Sequence, residues 1–153
     1  PNRSQAIIKM LIQKKITSNL FDNSKHFDEN VLIINSFGKM ALYYSLSDIV
    51  ILGGSFTRMG GHNPVEPAYN NCVVITGPHI YNWENVFLDM IQNHSCILCK
   101  NIKELEQIVN KLLLDNNKIR LFKKKAKEYS SGNFFEIEKL ISKIDNYFNE
   151  SKC

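Results

Sequence analysis

The chain has no apolar run near the roughly 20 residues that a membrane-spanning helix needs, so nothing in its 153 residues reads as a transmembrane segment. Cysteine is scarce. Four in a chain of this length do not make a disulfide framework, and a reducing compartment is the simplest reading. Charge of one sign is not in large excess: 19 Lys and Arg against 15 Asp and Glu leave +4, which favours anionic partners only slightly. No internal repeat and no low-complexity tract appears, which argues against a solenoid or a disordered linker. A signal-peptide pattern is also missing from the N-terminus. The chain begins Pro1-Asn2-Arg3 without a methionine and reads as a piece of something longer.

What is present is ordinary globular material. Hydrophobic content of 44% and charged content of 22% fit a soluble domain with a real core. Residues 1–153 therefore read as a single domain. Helical spacing runs from Ser4 to Lys15, through Ile7, Ile8, Leu11 and Ile12. Val31 to Ile34 predicts a strand, Lys39 to Leu46 a short helix, and Asp48 to Leu52 the next strand. A helix from Pro64 to Asn70, a strand from Cys72 to Thr76, a helix from Trp83 to Gln92 and a strand from Ser95 to Cys99 follow. Ile102 to Leu114, Lys118 to Tyr129 and Phe134 to Phe148 predict three closing helices. Strands alternating with helices imply an α/β fold, a Rossmann-like parallel sheet with helices on both faces.

In such a sheet, ligands sit outside the carboxyl ends of the strands. The loops after Ile34, Leu52 and Thr76 carry Ser36-Phe37-Gly38, the run from Gly53 to Asn63, and Gly77-Pro78-His79. All three are expected at that one edge. The second loop is the most informative part of the chain. Two glycine pairs, Gly53-Gly54 and Gly60-Gly61, sit between a strand and a helix start. Glycine tolerates φ > 0 and lets a ligand approach the main chain. Amide groups in such a loop, together with the Ser55 hydroxyl, suit phosphate oxygens. The duller alternative is a tight strand-to-helix turn without a ligand. No Gly-Lys-Ser/Thr closes the loop, so it is not a P-loop, and the GxGxxG spacing is absent. Arg58 lies within it and offers a planar fork to a phosphate or carboxylate, or else is solvated.

Asn63-Pro64-Val65-Glu66 has the form of a capping box. Asn63 would cap the helix and Glu66 would reach back to the Asn63 N–H. Glu66 has a second reading, as a carboxylate accepting both hydroxyls of a nucleotide ribose. It would repel a phosphate directly, so a nucleotide would have to place its sugar there. The motif alone leaves both readings open. Gly38 could admit a base or ribose close to the backbone. His79 is either a ligand contact and proton carrier or a solvent-facing ring, and His62 reads the same way. Tyr43 and Tyr44 read as core or crevice wall.

Cys96-Ile-Leu-Cys99 has CxxC spacing but sits in a strand, where residues i and i+3 face opposite ways. No further ligands are placed for zinc, so neither a metal site nor a redox role is expected. Lys123-Lys124-Lys125 with Lys127 reads as a solvated helix face, or as a contact with an anionic membrane surface. Nucleic acid is not an expected partner, because no aromatic residue is interleaved for stacking.

The segment from Gly53 to Ala68 resembles the signature of the 3-deoxy-D-manno-octulosonic acid (Kdo) transferases of lipopolysaccharide synthesis. Phe37-Gly38, Tyr44 and Ser47-Asp48 resemble the stretch that precedes this signature in the family. Gly77-Pro78-His79 with Asn82 resembles the one that follows it, and Pro1 and Arg3 resemble the end of an earlier motif. Lys39 departs from the glutamate usual in the family, and no role is carried from it. The resemblance implies the C-terminal, donor-binding half of a GT-B glycosyltransferase. That enzyme is inverting and metal-independent, uses no cofactor, and takes CMP-Kdo as donor and a lipid A precursor as acceptor. Its general base and membrane anchor belong to an N-terminal domain absent here, so the piece alone should be inactive. The full protein would work at the cytoplasmic face of the bacterial inner membrane. Carried onto this chain, Gly53, Gly54 and Ser55 resemble the donor phosphate loop. Asn63 and Glu66 resemble the polar pair at the ribose, and Gly38 resembles part of the cytidine wall. Arg58 and His79 join them as donor-site candidates. The alternatives are a donor domain for a UDP- or GDP-sugar, and a truncated nucleotide-binding pseudoenzyme.

Overall fold

A computed structural model describes residues 3–21 and 29–132. The helix expected over Phe134 to Phe148 lies outside the described residues. Two compact units are present, residues 1–40 and 41–153.

In the first unit, helix α1 (Ser4–Gln13) buries Leu11 and ends where Lys15 adopts φ 56°. Strands β1 (Ser18–Leu20) and β2 (Val31–Ile33) pair in parallel, Ser18 opposite Val31. Thr17 Oγ1 donates to Asn30 Oδ1 at 2.7 Å and accepts the Asn30 N–H at 3.0 Å, which fixes the register just before the two strands start. Gly38 has φ 81°, a conformation that disfavours any side chain.

In the second unit, β3 (Ile49–Ile51), β4 (Val73–Thr76) and β5 (Ile97–Leu98) form a parallel sheet with β4 in the middle. All four β4 residues are buried. That explains why Val73-Val-Ile-Thr76 is a continuous run and not an alternating one: both of its faces are covered. Val74 packs with Leu52, Ala68, Phe87, Met90 and Ala126. Val73 and Ile75 pack on the other side, with Cys99, Leu105, Ile108 and Leu112. Helices α3 (Val65–Tyr69) and α4 (Glu84–Gln92) therefore cover one face, and α5 (Ile102–Leu113) covers the other. Helix α6, described over 116–132, serves both, through Ala126 on the first and Ile119 and Phe122 on the second. Each fully buried Val or Ile here contributes about 1.5–3 kcal/mol.

The elements follow the expected order, with one addition, and most are shorter than expected at one or both ends. Strand β1 was not expected, because Ser18-Asn-Leu20 has no apolar run. Strand β5 keeps only two paired residues of the five expected. A 3-10 turn over Tyr81–Trp83 replaces the first residue of the expected helix, which starts at Glu84. Pairing falls into one parallel sheet per unit, where a single sheet was expected. Helix α2 (Met40–Ser45) is held to the start of β4 by Cys72, whose Sγ lies 3.1 Å from Tyr44 O and 3.4 Å from Ser47 O. Cys96 and Cys99 belong to opposite core clusters, as the strand geometry requires.

Candidate functional site

The loop from Gly53 to Asn63 joins the C-terminal end of β3 to α3. Three of its residues, Gly54, Gly60 and Gly61, have φ between 74° and 84°, so the glycine pairs serve a real backbone need. At Gly60 a side chain is excluded twice over, since a Cβ there would sit 2.5 Å from Asn82 and Tyr81. The loop is clasped from the segment after β4. Tyr81 Oη donates to Arg58 O at 2.6 Å, and Asn82 Nδ2 donates to Met59 O at 2.8 Å and Gly61 O at 3.2 Å. The loops after Leu52 and Thr76 thus meet at one edge of the sheet, as expected.

Ser55 forms the second clasp. It is fully buried, its hydroxyl donates to Leu52 O at 2.7 Å, and it accepts the Gly77 N–H at 2.8 Å. Ser55 O accepts the His79 N–H at 2.9 Å. The expectation that the Ser55 hydroxyl wraps a phosphate is corrected by this arrangement: its one proton is committed to the protein, and the side chain shapes the loop from beneath. Gly77 must be glycine, because a Cβ there would lie 2.5 Å from Ser55 O.

On the outer side, Gly53 is exposed and Gly54 half-buried. Among the described residues, neither amide N–H has a hydrogen-bond partner. The His62 ring stands over this pair, 3.5 Å from where a Gly53 Cβ would be, so a side chain at Gly53 would press on it. Arg58 is exposed, and its guanidinium has no partner among the described residues. His79 is half-buried behind the loop.

Just before α3, Asn63 Oδ1 accepts the Val65 N–H at 2.9 Å, a turn that leads into the helix, while the cap position falls on Pro64 and not on Asn63 as the motif predicts. The Glu66 half of the capping box is not made. The Glu66 side chain is exposed and has no hydrogen bond or ion pair among the described residues. Asn63, Val65, Glu66 and Tyr69 line a cleft of about 210 Å³. Tyr44 stands near enough that its hydroxyl is held protonated above the ordinary range, by burial first and then by the Glu66 carboxylate and Cys72. Sequence reasoning placed Tyr44 only as a wall. Tyr44 is also tied to the start of β4 by the Cys72 contact, which joins residues 28 positions apart.

The structure therefore places Gly53, Gly54, Ser55, Arg58, Asn63, Glu66 and His79 in the second unit. Gly38 lies in the first. No group of three or more His, Cys, Asp or Glu side chains that could hold a metal occurs among the described residues. No helix among them is long and apolar enough to cross a membrane.

No protein-family model matches the chain. It is 32% identical over 124 residues to the 3-deoxy-D-manno-octulosonic acid transferase of Rickettsia typhi, a match that covers 81% of this chain and 26% of that protein. The enzyme of the same name from Haemophilus influenzae is 31% identical over 116 residues, covering 74% of this chain and 27% of that one. The chain thus spans about a quarter of the length of the curated relatives it matches. Among solved structures, the C-terminal CMP-Kdo binding domain of WaaA from Acinetobacter baumannii superposes with a TM-score of 0.76. The sequences are 21% identical, and the match covers 84% of this chain and 68% of that one. That likeness shows the fold, an α/β domain of the same architecture as that C-terminal domain. The chain belongs to the 3-deoxy-D-manno-octulosonic acid transferase family and corresponds to a domain-sized, C-terminal portion of it.

Proposed function

We propose that this chain is the donor-binding half of a Kdo transferase and holds CMP-Kdo at the glycine loop and the start of α3. The observation that carries the reading is the Glu66 carboxylate, exposed and without a hydrogen bond or ion pair among the described residues, in a cleft at the start of the helix that follows the glycine loop. A vicinal diol offers two donors at carboxylate spacing, so the ribose belongs at Glu66. The phosphate then falls toward Gly53 and Gly54, away from the carboxylate that would repel it. Arg58 adds an exposed positive charge at the same loop, and His62 and His79 flank it.

In this reading the domain's chemical contribution is electrostatic. As the bond between sugar and phosphate breaks, negative charge grows on the CMP phosphate. Fixed N–H dipoles aimed at that charge stabilise it more than they stabilise the bound donor. The acceptor, a lipid A precursor, would be deprotonated by a carboxylate of an N-terminal domain. The reaction is inverting and uses neither metal nor cofactor, and the whole protein works at the cytoplasmic face of the inner membrane. Nucleic acid has no part in it. The chain alone binds donor nucleotide and transfers nothing.

Titrating the chain with CMP, UMP and GMP under identical conditions tests the reading. Preference for CMP supports it. Preference for UMP or GMP would reassign the domain to another sugar nucleotide, and Kdo transfer by the chain alone would overturn the division of labour.

A further inference from the structure

A second concave site lies at the other edge of the sheet, where β3 and β4 begin. It is a cleft of about 580 Å³ whose floor holds Asp48 and Asn71, the residues just before those strands, and whose wall is α6 with Arg120, Lys123, Lys124 and Lys127. Only Asp48 and Glu128 among its lining residues are acidic, against four cations. Successive turns of one helix hold these cations on one side, since positions 120, 123, 124 and 127 are three or four apart.

The cations are not equally engaged. Lys123 is largely buried and pairs with Asp48 Oδ1 at 2.7 Å. Lys127 donates to Tyr69 O at 2.6 Å and lies 3.8 Å from the centroid of the Tyr69 ring. Asp48 offsets the charge of Lys123, whereas Lys127 is held in place by neutral groups and keeps its positive charge. Lys124 makes only a long, exposed contact of 3.7 Å with Glu128, and such a pair contributes little. Arg120 has no hydrogen bond or ion pair among the described residues. Two cations are thus available at the rim of a cleft to which Lys127 adds a fixed positive charge, and Asn71 and Asn116 add neutral donors.

We infer that this cleft binds a phosphate-bearing anion, distinct from any nucleotide at the glycine loop. Its concavity suits a discrete group with two or more negative charges, which the Arg120 fork and the Lys124 ammonium reach together. The phosphate has two sources, a free phosphorylated molecule or the headgroup of an anionic lipid, and both present the same chemistry.

The test uses inorganic pyrophosphate in solution, and vesicles of phosphatidylcholine with and without phosphatidylglycerol. Each is titrated against the chain and against an Arg120→Ala/Lys124→Ala variant at low salt. Both side chains are exposed, and matching thermal melts confirm that the variant is folded. Pyrophosphate binding that weakens about tenfold or more in the variant, as loss of charge-assisted bonds predicts, supports a site for a free phosphate. Binding only to phosphatidylglycerol vesicles, with the same loss, supports the headgroup as the source. Failure of both probes, or binding that the variant leaves unchanged, overturns the inference. CMP affinity should be the same in the chain and the variant, so this proposal and the donor-site reading fail separately.

Discussion

The Ser55 hydroxyl accepts the Gly77 N–H at 2.8 Å while giving its own proton to Leu52 O at 2.7 Å. One small buried side chain thus ties the loop that follows β3 to the loop that follows β4, which sets where the Gly53 and Gly54 amides point. The consequence is a separation of roles. Ser55 and Gly77 build the site, while the groups free to meet a ligand are the outer amides, Arg58 and Glu66.

Ser55→Ala should cost about 1–3 kcal/mol, because it leaves a buried N–H and a buried carbonyl without their partner. Gly77→Ala should cost at least as much, since the added Cβ would press on backbone atoms of Ser55 at 2.5 and 2.7 Å. Urea denaturation monitored by circular dichroism measures both. A Ser55→Ala chain as stable as wild type would show that the clasp is dispensable.

Asn82 carries the second clasp, through its bonds to Met59 O and Gly61 O. Asn82→Ala is expected to loosen residues 57–61 and to leave the β4 core intact. Hydrogen exchange should therefore quicken in the loop and stay unchanged at Val73 to Ile75. Gly60→Ala should do the same, because its Cβ would displace Asn82. Uniform acceleration across the sheet would contradict the local role.

Burial pushes the Cys96 thiol up from its ordinary 9.0 to about 12, with a small opposing effect from its contact with Ile97 O and a further small rise from Cys99. Burial likewise raises Cys99 and Cys72. Thiols held protonated are poor nucleophiles, so all three should resist alkylation at pH 8 until the chain is unfolded. The sign for stability follows from the proton count. Between pH 9 and pH 12 the folded chain keeps a proton on Cys96 that the unfolded chain has lost. Stability is complete below pH 9 and should fall by up to about 1.4 kcal/mol per pH unit above it. Chemical denaturation at pH 8, 9.5 and 10.5 checks this, and Cys96→Ala should flatten the slope. A slope unchanged by that substitution would assign the alkaline loss elsewhere, for instance to Tyr44.

The sheet of the second unit was legible because each of its strands is an apolar run next to a helical period. Val73 to Thr76 shows why a continuous run means two covered faces. Strand β1 was not legible, because Ser18-Asn-Leu20 is paired by its register with Val31 to Ile33 and not by any apolar pattern of its own. The glycine loop could be read from its two glycine pairs, and three positive φ values explain them. The direction of the Ser55 hydroxyl could not, since it depends on Gly77, which is 22 positions away. Glu66 was left between two readings because a capping box and a ligand carboxylate share one motif. In the structure Asn63 bonds the Val65 N–H just ahead of the helix, and the Glu66 side chain is left without a bond among the described residues. Tyr44 near Glu66 needed tertiary contacts that no local pattern announces.

The central claim is that Glu66 receives the ribose of a cytidine nucleotide, and calorimetric titration of CMP into the chain and into Glu66→Ala tests it most directly. Glu66 is exposed and has no protein partner among the described residues, so the variant should melt within about 0.5 kcal/mol of wild type. CMP affinity should fall about tenfold or more with the loss of two hydrogen bonds to a charged group. A folded Glu66→Ala chain that binds CMP as tightly as the unaltered one would contradict the account.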